Sequence, residues 1–195
     1  MPIVINGSGT VTGLSVGGLP DGTVDRDTLA TAAKGSVLQV VQGTYTSATS
    51  NNTAANAWWD TSSLLSASIT PSSTSNKILV TSMLNIACGG ATQNISTKLQ
   101  RGGSDVTAAL GDTSGSKDRI TCQTYIDNTY SMTSIFPEFL DSPSSTSSLT
   151  YSFAFRHGSS ATRYLYLNRQ DDGTDTVQYH RSMSTITLME IAGWH

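Results

Sequence analysis

The sequence predicts an all-β protein, an antiparallel two-sheet sandwich of jelly-roll-like type preceded by an extended N-terminal arm. Serine and threonine make up 57 of the 195 residues; threonine suits strands and serine suits turns, whereas helices gain little from either. From Ser36 onward apolar and polar residues alternate with a period of two, between clusters of Ser, Gly, Asp and Asn. No helical segment of ten or more residues fits between these stretches, which argues against a βαβ arrangement.

Nine segments have the alternation typical of strands. The clearest places Leu149, Tyr151, Phe153 and Phe155 on one face. Residues 77–88 are apolar on both faces, which predicts a central strand that is covered on both sides. The predicted strands lie within residues 36–47, 64–70, 77–88, 94–103, 119–126, 130–140, 149–155, 163–169 and 184–194, with Pro137 predicting an edge or bulge in the sixth.

The chain divides into an arm, residues 1–35, and a sandwich domain, residues 36–195. Residues 25–34 predict a short helix, with Asp25 or Asp27 as N-cap and Gly35 ending it. The arm is too rich in glycine to build its own core, so its ordering needs burial against another surface. We therefore expect the arm to dock on a partner through its apolar residues, which are Ile3, Val4, Ile5, Val11, Leu14, Val16 and Leu19.

The charge pattern argues against two classes of partner. The formal net charge is −3, and no run of Lys or Arg provides the positive surface that nucleic-acid binding requires. No stretch approaches the ~20 apolar residues of a membrane span. Residues 1–9 lack the basic and apolar regions of a secretory signal. We expect synthesis in a cytoplasm, with neither nucleic-acid binding nor membrane insertion.

The sequence predicts no metal site and no cofactor. Cys88 and Cys122 lie in alternating apolar stretches, which favours buried free thiols, although a pair on adjacent strands stays open. The carboxylates of the segment 168–176 are more typical of a hairpin turn around Gly173 than of a calcium loop. The histidines lack the spacing of zinc ligands and are predicted in loops or on the surface; they are His157, His180 and His195.

The string "GLSVG", residues 13–17, matches the G-x-S-x-G pattern of a hydrolase nucleophile elbow around Ser15. An elbow needs a helix directly after the serine, and the following "VGGLPDG" is not helical. Glycosidases need two facing carboxylates, whereas Glu138 and Glu190 lie in predicted strands without an evident partner. We therefore predict no catalytic residue and no enzyme; an esterase or depolymerase is the alternative.

Adjacent tryptophans, Trp58 and Trp59, lie in a predicted polar loop, residues 51–63. An exposed indole can serve as a stacking platform for a sugar of a receptor. The alternative is packing, with one indole in the sandwich and the other against a neighbouring subunit. Both alternatives make this pair the candidate contact site for a receptor or a subunit.

The segment "INGSGTVTGLSVGGLPDGTVDRDTLATAAKG", residues 5–35, resembles the N-terminal segment of bacteriophage virion proteins, especially from marine phages. The remainder is similar to the terminal knob of tail-fibre and head-fibre proteins. The matching pieces follow the family's order and span nearly the whole knob: "SITPSSTSNKILV" (68–80), "KLQRGGSDV" (98–106), "FLDSPSSTSSLTYSF" (139–153) and "STITLMEI" (184–191).

This resemblance implies a β-sandwich knob, usually trimeric, displayed on the virion after assembly in the host cytoplasm. It carries over no catalytic residues. Its implied partners are capsid or tail proteins bound through the arm, further copies of the chain, and a glycan or protein of the host surface. A tail fibre has a long shaft, whereas about 35 residues precede this knob, which favours a short head fibre, a decoration protein or a small tail-tip knob. A free glycan-binding lectin is a further alternative.

Overall fold

The computed structural model describes residues 37–90, 93–171, 174–177 and 179–193. Within these ranges the chain forms thirteen strands and one 3₁₀ helix, with no α-helix. The strands make two antiparallel sheets that pack face to face, so the predicted all-β two-sheet sandwich is confirmed. The predicted arm, residues 1–35, and its helix over residues 25–34 lie outside the described residues.

Most strands are joined by short connections, and the two longest connections join the seventh strand to the eighth and the twelfth to the thirteenth. The single 3₁₀ turn, Thr107–Ala109, follows the seventh strand. The strands are β1 (Val37–Tyr45), β2 (Thr49–Thr53), β3 (Trp59–Asp60), β4 (Ser66–Ile69), β5 (Lys77–Cys88), β6 (Gln93–Arg101), β7 (Ser104–Asp105), β8 (Cys122–Ile126), β9 (Thr133–Ile135), β10 (Glu138–Asp141), β11 (Leu149–His157), β12 (Arg163–Leu167) and β13 (Ser184–Ile191).

The first sheet is built around β5. Its order is β1-β13-β5-β12-β2, and β9 and β10 also pair with β5. Residues 77–83 of β5 lie between β13 and β10, whereas its last residues lie between β12 and β9. Strand β5 is therefore central, as predicted, because its length lets it hold four neighbours.

The second sheet is built around β11 and β6, in the order β3-β11-β6-β7. Strand β4 pairs with β11, and β8 pairs with β6. Strands β6 and β7 form a hairpin closed by Gly102 and Gly103, which have φ angles of 59° and 77°. Two successive residues with positive φ are the signature of a type I′ turn, which explains why two glycines occupy it.

The core lies between the sheets and takes side chains from alternate positions of both. Strand β5 contributes Leu84 and Ile86, and β11 contributes Phe153 and Phe155. Each is almost completely buried. Because successive residues of a strand point to opposite faces, the predicted inward face of β11 and the observed one coincide.

One glycine allows the two sheets to approach closely at an edge. At Gly43 in β1 a Cβ atom would overlap the backbone carbonyl oxygen of Ser66 at the start of β4. Since backbone atoms cannot move away as a flexible side chain can, no larger residue fits there without displacing a strand. Glycine at this position is needed for space rather than for an unusual φ.

Two local predictions were wrong. Residues 130–140 form two short strands, β9 and β10, rather than one, because the chain leaves the sheet at Phe136 and Pro137, and proline cannot donate to the ladder. Phe136 is consequently 67% exposed. The edge predicted at Pro137 is confirmed, since the described pairings of both strands are with β5 alone. The predicted polar loop 51–63 contains the end of β2 and the whole of β3, because both find their partners far away along the chain, on β12 and β11.

Candidate functional site

The adjacent tryptophans point to opposite sides of the second sheet. Trp59, on β3, is 9% exposed and belongs to the core, where its ring lies 6.3 Å from that of Phe155 between centroids. Trp58, directly before β3, is half-buried. Of the two indoles, Trp58 is therefore the one that can meet an external partner.

Trp58 lies beside two cations of the second sheet. The Nζ of Lys98 is 4.5 Å from the centre of an indole ring, and the guanidinium carbon of Arg156 is 6.0 Å away. Each cation also has a carboxylate partner: Lys98 binds Asp105 at 2.7 Å, and Arg156 binds Asp118. Cations attract the negative face of an indole, so these contacts stabilise the orientation of Trp58.

A tyrosine-rich surface lies on the first sheet, and it was missed from the sequence. Tyr164 and Tyr166 alternate with inward-facing residues on β12, and their rings stack with centroids 6.0 Å apart. Tyr164 is 47% exposed, whereas Tyr166 beneath it is buried, at 6% exposure. The guanidinium of Arg169 lies 5.0 Å from the ring centre of Tyr166. The signal that could have revealed these tyrosines is the period-two spacing in "RYLYLNR", which places both on the face opposite the core.

Asp171, in the predicted hairpin turn, acts as an internal acceptor. It accepts hydrogen bonds from the hydroxyl of Tyr166 and, at 3.3 Å, from the backbone N–H of Gly90. Burial raises the pKa of Tyr166, and the carboxylate of Asp171 raises it further. The central residues of the predicted turn, Asp172 and Gly173, lie outside the described residues. Among the described residues, no three His, Cys, Asp or Glu side chains are grouped as metal ligands.

The carboxylate of Asp141 on β10 is buried between two donors. The Arg101 guanidinium donates a hydrogen bond to it, and the hydroxyl of Tyr151 donates another at 2.6 Å. Burial raises the pKa of Tyr151, and the neighbouring carboxylate raises it further. The arginine balances the charge of Asp141 inside the sandwich, and the three side chains join β6, β10 and β11.

Glu190 on β13 has the partners that the sequence did not reveal. One carboxylate oxygen accepts from the N–H and hydroxyl of Ser72, at 2.6 and 2.8 Å, and from the amide of Asn76 at 2.5 Å. The other accepts from the amide of Gln39 at 2.6 Å. Burial opposes ionisation of Glu190, but these hydrogen bonds outweigh it and lower its pKa. Glu138, the other predicted strand carboxylate, is exposed.

The cysteines are free, as predicted. Cys88 is fully buried, and burial raises the pKa of its thiol to about 11. Cys122 is half-buried, and burial raises its thiol pKa as well. Since the thiolate is the reactive form, neither side chain has the environment of a nucleophile.

The prediction for the histidines was wrong at one position. His157 ends β11 and is 1% exposed. Its Nδ1 accepts from the N–H of Ser159, so Nε2 carries the proton and donates to the carbonyl of Thr53 at 2.9 Å. His157 thus links β11 to the end of β2. His180 is exposed, as expected, whereas His195 and Ser15 lie outside the described residues.

Two comparisons with known proteins were negative: no model of a protein family and no curated protein matches this chain. In the part of the chain that the structure describes, no helix has the length and apolar character needed to cross a membrane. The apolar arm residues of the predicted docking site, from Ile3 to Leu19, lie outside the described residues.

Proposed function

We propose that this chain is a non-enzymatic bacteriophage virion protein, a short head-fibre, decoration or tail-fibre knob. Its arm docks on capsid or tail proteins, and its sandwich faces outward as a trimer that adheres to the host surface. The observation that carries this proposal is the division of roles among side chains. Strand carboxylates such as Asp141 and Glu190 serve as interior acceptors, whereas aromatic rings such as Trp58 and Tyr164 face outward.

The segments that resemble fibre knobs support the proposal because two buried networks join them in pairs. Asp141, of the segment 139–153, accepts from Arg101 of the segment 98–106 and from Tyr151 of its own segment. Glu190, of the segment 184–191, binds Ser72 and Asn76 of the segment 68–80. The first contact joins the ends of β6 and β10, and the second fixes the loop between β4 and β5 to β13. Polar contacts thus hold the resembling segments together.

The outer surface of the second sheet supports binding to copies of the same chain. Its charged residues Lys98 and Arg156 are already paired with Asp105 and Asp118 within the protomer. Such a surface can enter an interface without leaving an isolated charge buried. Trp58, between these pairs, supplies the aromatic anchor that interfaces favour.

Labelling intact particles tests the virion assignment. Antibody raised against residues 37–195, carrying colloidal gold, is expected to label purified phage particles at the capsid or the tail. Unlabelled particles together with free protein in the lysate would contradict the proposal and favour a free lectin.

The trimer is tested separately by size-exclusion chromatography with light scattering. The recombinant chain has a mass of 20.6 kDa, and the expected particle has three times that mass. A stable monomer over a wide range of concentrations would overturn the trimer without touching the virion assignment.

A further inference from the structure

Described residues of the connection between β12 and β13 line a small, partly open polar cavity of about 210 Å³. Its described lining consists of Thr174, Asp175, Thr176, Tyr179 and Arg181. This volume is below the ~300–1,000 Å³ of sites for drug-sized ligands. The cavity therefore suits a ligand of about one ring.

One wall of the cavity is aromatic. The ring of Tyr179 stacks on that of Tyr130, with centroids 6.0 Å apart and planes inclined by 20°. Tyr130 is 60% exposed, so the ring pair continues from the cavity to the surface. An aromatic face held in this way can pack against the C–H face of a ligand ring.

The cavity also presents opposite charges. Within the described residues, the carboxylate of Asp175 and the guanidinium of Arg181 form no ion pair and no side-chain hydrogen bond, although they line the same space. A carboxylate accepts hydrogen bonds, and a guanidinium donates several in a fixed plane. Together they match a ligand that both donates and accepts, without favouring a net charge of either sign.

A buried amide holds this site in shape. Gln170, 7% exposed, donates to the carbonyl of Tyr130 and accepts from the N–H of His180, both at 2.8 Å. The N–H of Ser182 donates to the carbonyl of Asn168 at 3.1 Å. These bonds tie the Tyr130 wall and the chain on both sides of Arg181 to the sheet. A preformed site avoids part of the ordering cost of binding.

From these features we infer that the cavity binds a neutral pyranose ring of a glycan. Tyr179 packs against the ring, Asp175 accepts from adjacent hydroxyls, and Arg181 donates to ring or hydroxyl oxygens. The inference rests on the proposed adhesive function and names its ligand class. Its test uses purified protein, however, and so remains separate from the labelling of particles.

The test is saturation-transfer difference NMR of the full chain with methyl pyranosides of glucose, galactose and mannose, and with N-acetylglucosamine, at millimolar concentration. At least one sugar is expected to bind. Asp175→Ala and Tyr179→Ala should each weaken its binding by about tenfold or more, because each removes a partner that the ligand needs. Tyr125→Ala, which removes a tyrosine that is 57% exposed on β8, should leave binding unchanged.

Two outcomes would overturn the inference. One is the absence of binding by every sugar of the panel. The other is binding that survives Asp175→Ala and Tyr179→Ala but is lost in Trp58→Ala, which would place the sugar on the second sheet. Thermal unfolding checks each variant. Because Asp175 is exposed, Asp175→Asn should fold normally even where Tyr179→Ala fails to fold. Weakened sugar binding by Asp175→Asn supports the inference, and unchanged binding contradicts it. Particles that are labelled but bind no sugar would refute this inference alone.

Discussion

The carboxylate of Glu190 holds together three segments that are distant along the chain. Its four hydrogen bonds come from Gln39 on β1 and from Ser72 and Asn76 in the loop between β4 and β5. Hydrogen bonds to a charged group are stronger than those between neutral groups. Glu190 is 1% exposed and has little contact with water. Loss of a hydrogen-bond partner or of its charge therefore lowers the free energy of unfolding.

Glu190→Gln is predicted to lower the free energy of unfolding at neutral pH by about 1–3 kcal/mol, because the charge-assisted bonds are lost. The folded pKa of Glu190 is below its ordinary value of 4.5. Its charge therefore stabilises the fold above pH 4.5, and this contribution is lost as the pH falls through the lower folded pKa. Urea unfolding of both proteins should show their difference shrinking below pH 4.5.

Glu138→Gln is the matched control, since Glu138 is an exposed glutamate on β10. It should unfold like the unmodified protein across this pH range. A Glu190→Gln protein whose deficit stayed constant between neutral pH and pH 3 would contradict the assigned role of the charge.

Residue-level roles were the least predictable from the sequence. That Glu190 lies on a strand followed from alternation, but its partner Ser72 is 118 residues away along the chain, and local pattern carries no information about such a contact. The burial of His157 was not predicted for the same reason. Its sequence neighbours suggest a loop, yet its ring lies against Thr53 of another strand. For the tryptophan pair, the sequence predicted, as one of two alternatives, that one indole lies in the sandwich, but local pattern did not identify it as Trp59.

Among the elements, β5 unites the first sheet. Leu84 is fully buried on its inner face and pairs with Ile135 of β9. Along the same strand, Val80 pairs with both β13 and β10. A loss of packing in β5 is therefore transmitted to several neighbouring strands.

Leu84→Ala is predicted to lower the free energy of unfolding by about 2–5 kcal/mol, the range for a buried leucine that leaves a cavity. Leu140→Ala is the control, because Leu140 is 44% exposed on β10, and it should cost less than about 1 kcal/mol. Chemical denaturation measures both. Equal costs would show that β5 is not the packing centre.

The long strands could be predicted because their inward faces are continuous, as in β5, β11 and β13. The short ones could not. Strand β2, with the sequence TSNNT, has no apolar alternation, and β3 is only two residues long. Both are strands because β12 and β11 offer them free edges. Pairing of this kind is set by tertiary context rather than by propensity.

For the whole molecule, the sequence predicted the sandwich. Of the described candidate surfaces it predicted the one around Trp58, but neither the tyrosine pair on β12 nor the cavity near Tyr179. Composition and alternation depend on local pattern, and they were sufficient for the fold class. The cavity near Tyr179 depends on the folding of the β12–β13 connection, which pattern does not specify. The docking role of the arm is therefore supported by sequence and resemblance, whereas the proposed sugar site is supported by the geometry of the folded chain.

Deleting residues 1–20 tests the docking role of the arm on the complete particle. The deletion removes the apolar arm residues from Ile3 to Leu19, whereas the described strands of both sheets begin at Val37. We predict a folded domain with an unchanged thermal midpoint that no longer enters virions, because an arm of this composition gains its burial from a partner. Incorporation is measured by blotting purified particles after complementation of a phage that lacks the gene.

Tyr125→Ala is the control for this experiment, since it changes a side chain that is 57% exposed on β8 and leaves the arm intact. It should enter virions at the unmodified level, provided that docking depends on the arm alone. Normal incorporation of the deleted protein would refute the docking role of the arm. Equal loss in both proteins would instead assign docking to the sandwich, because an outer surface of the sandwich would then be needed for attachment.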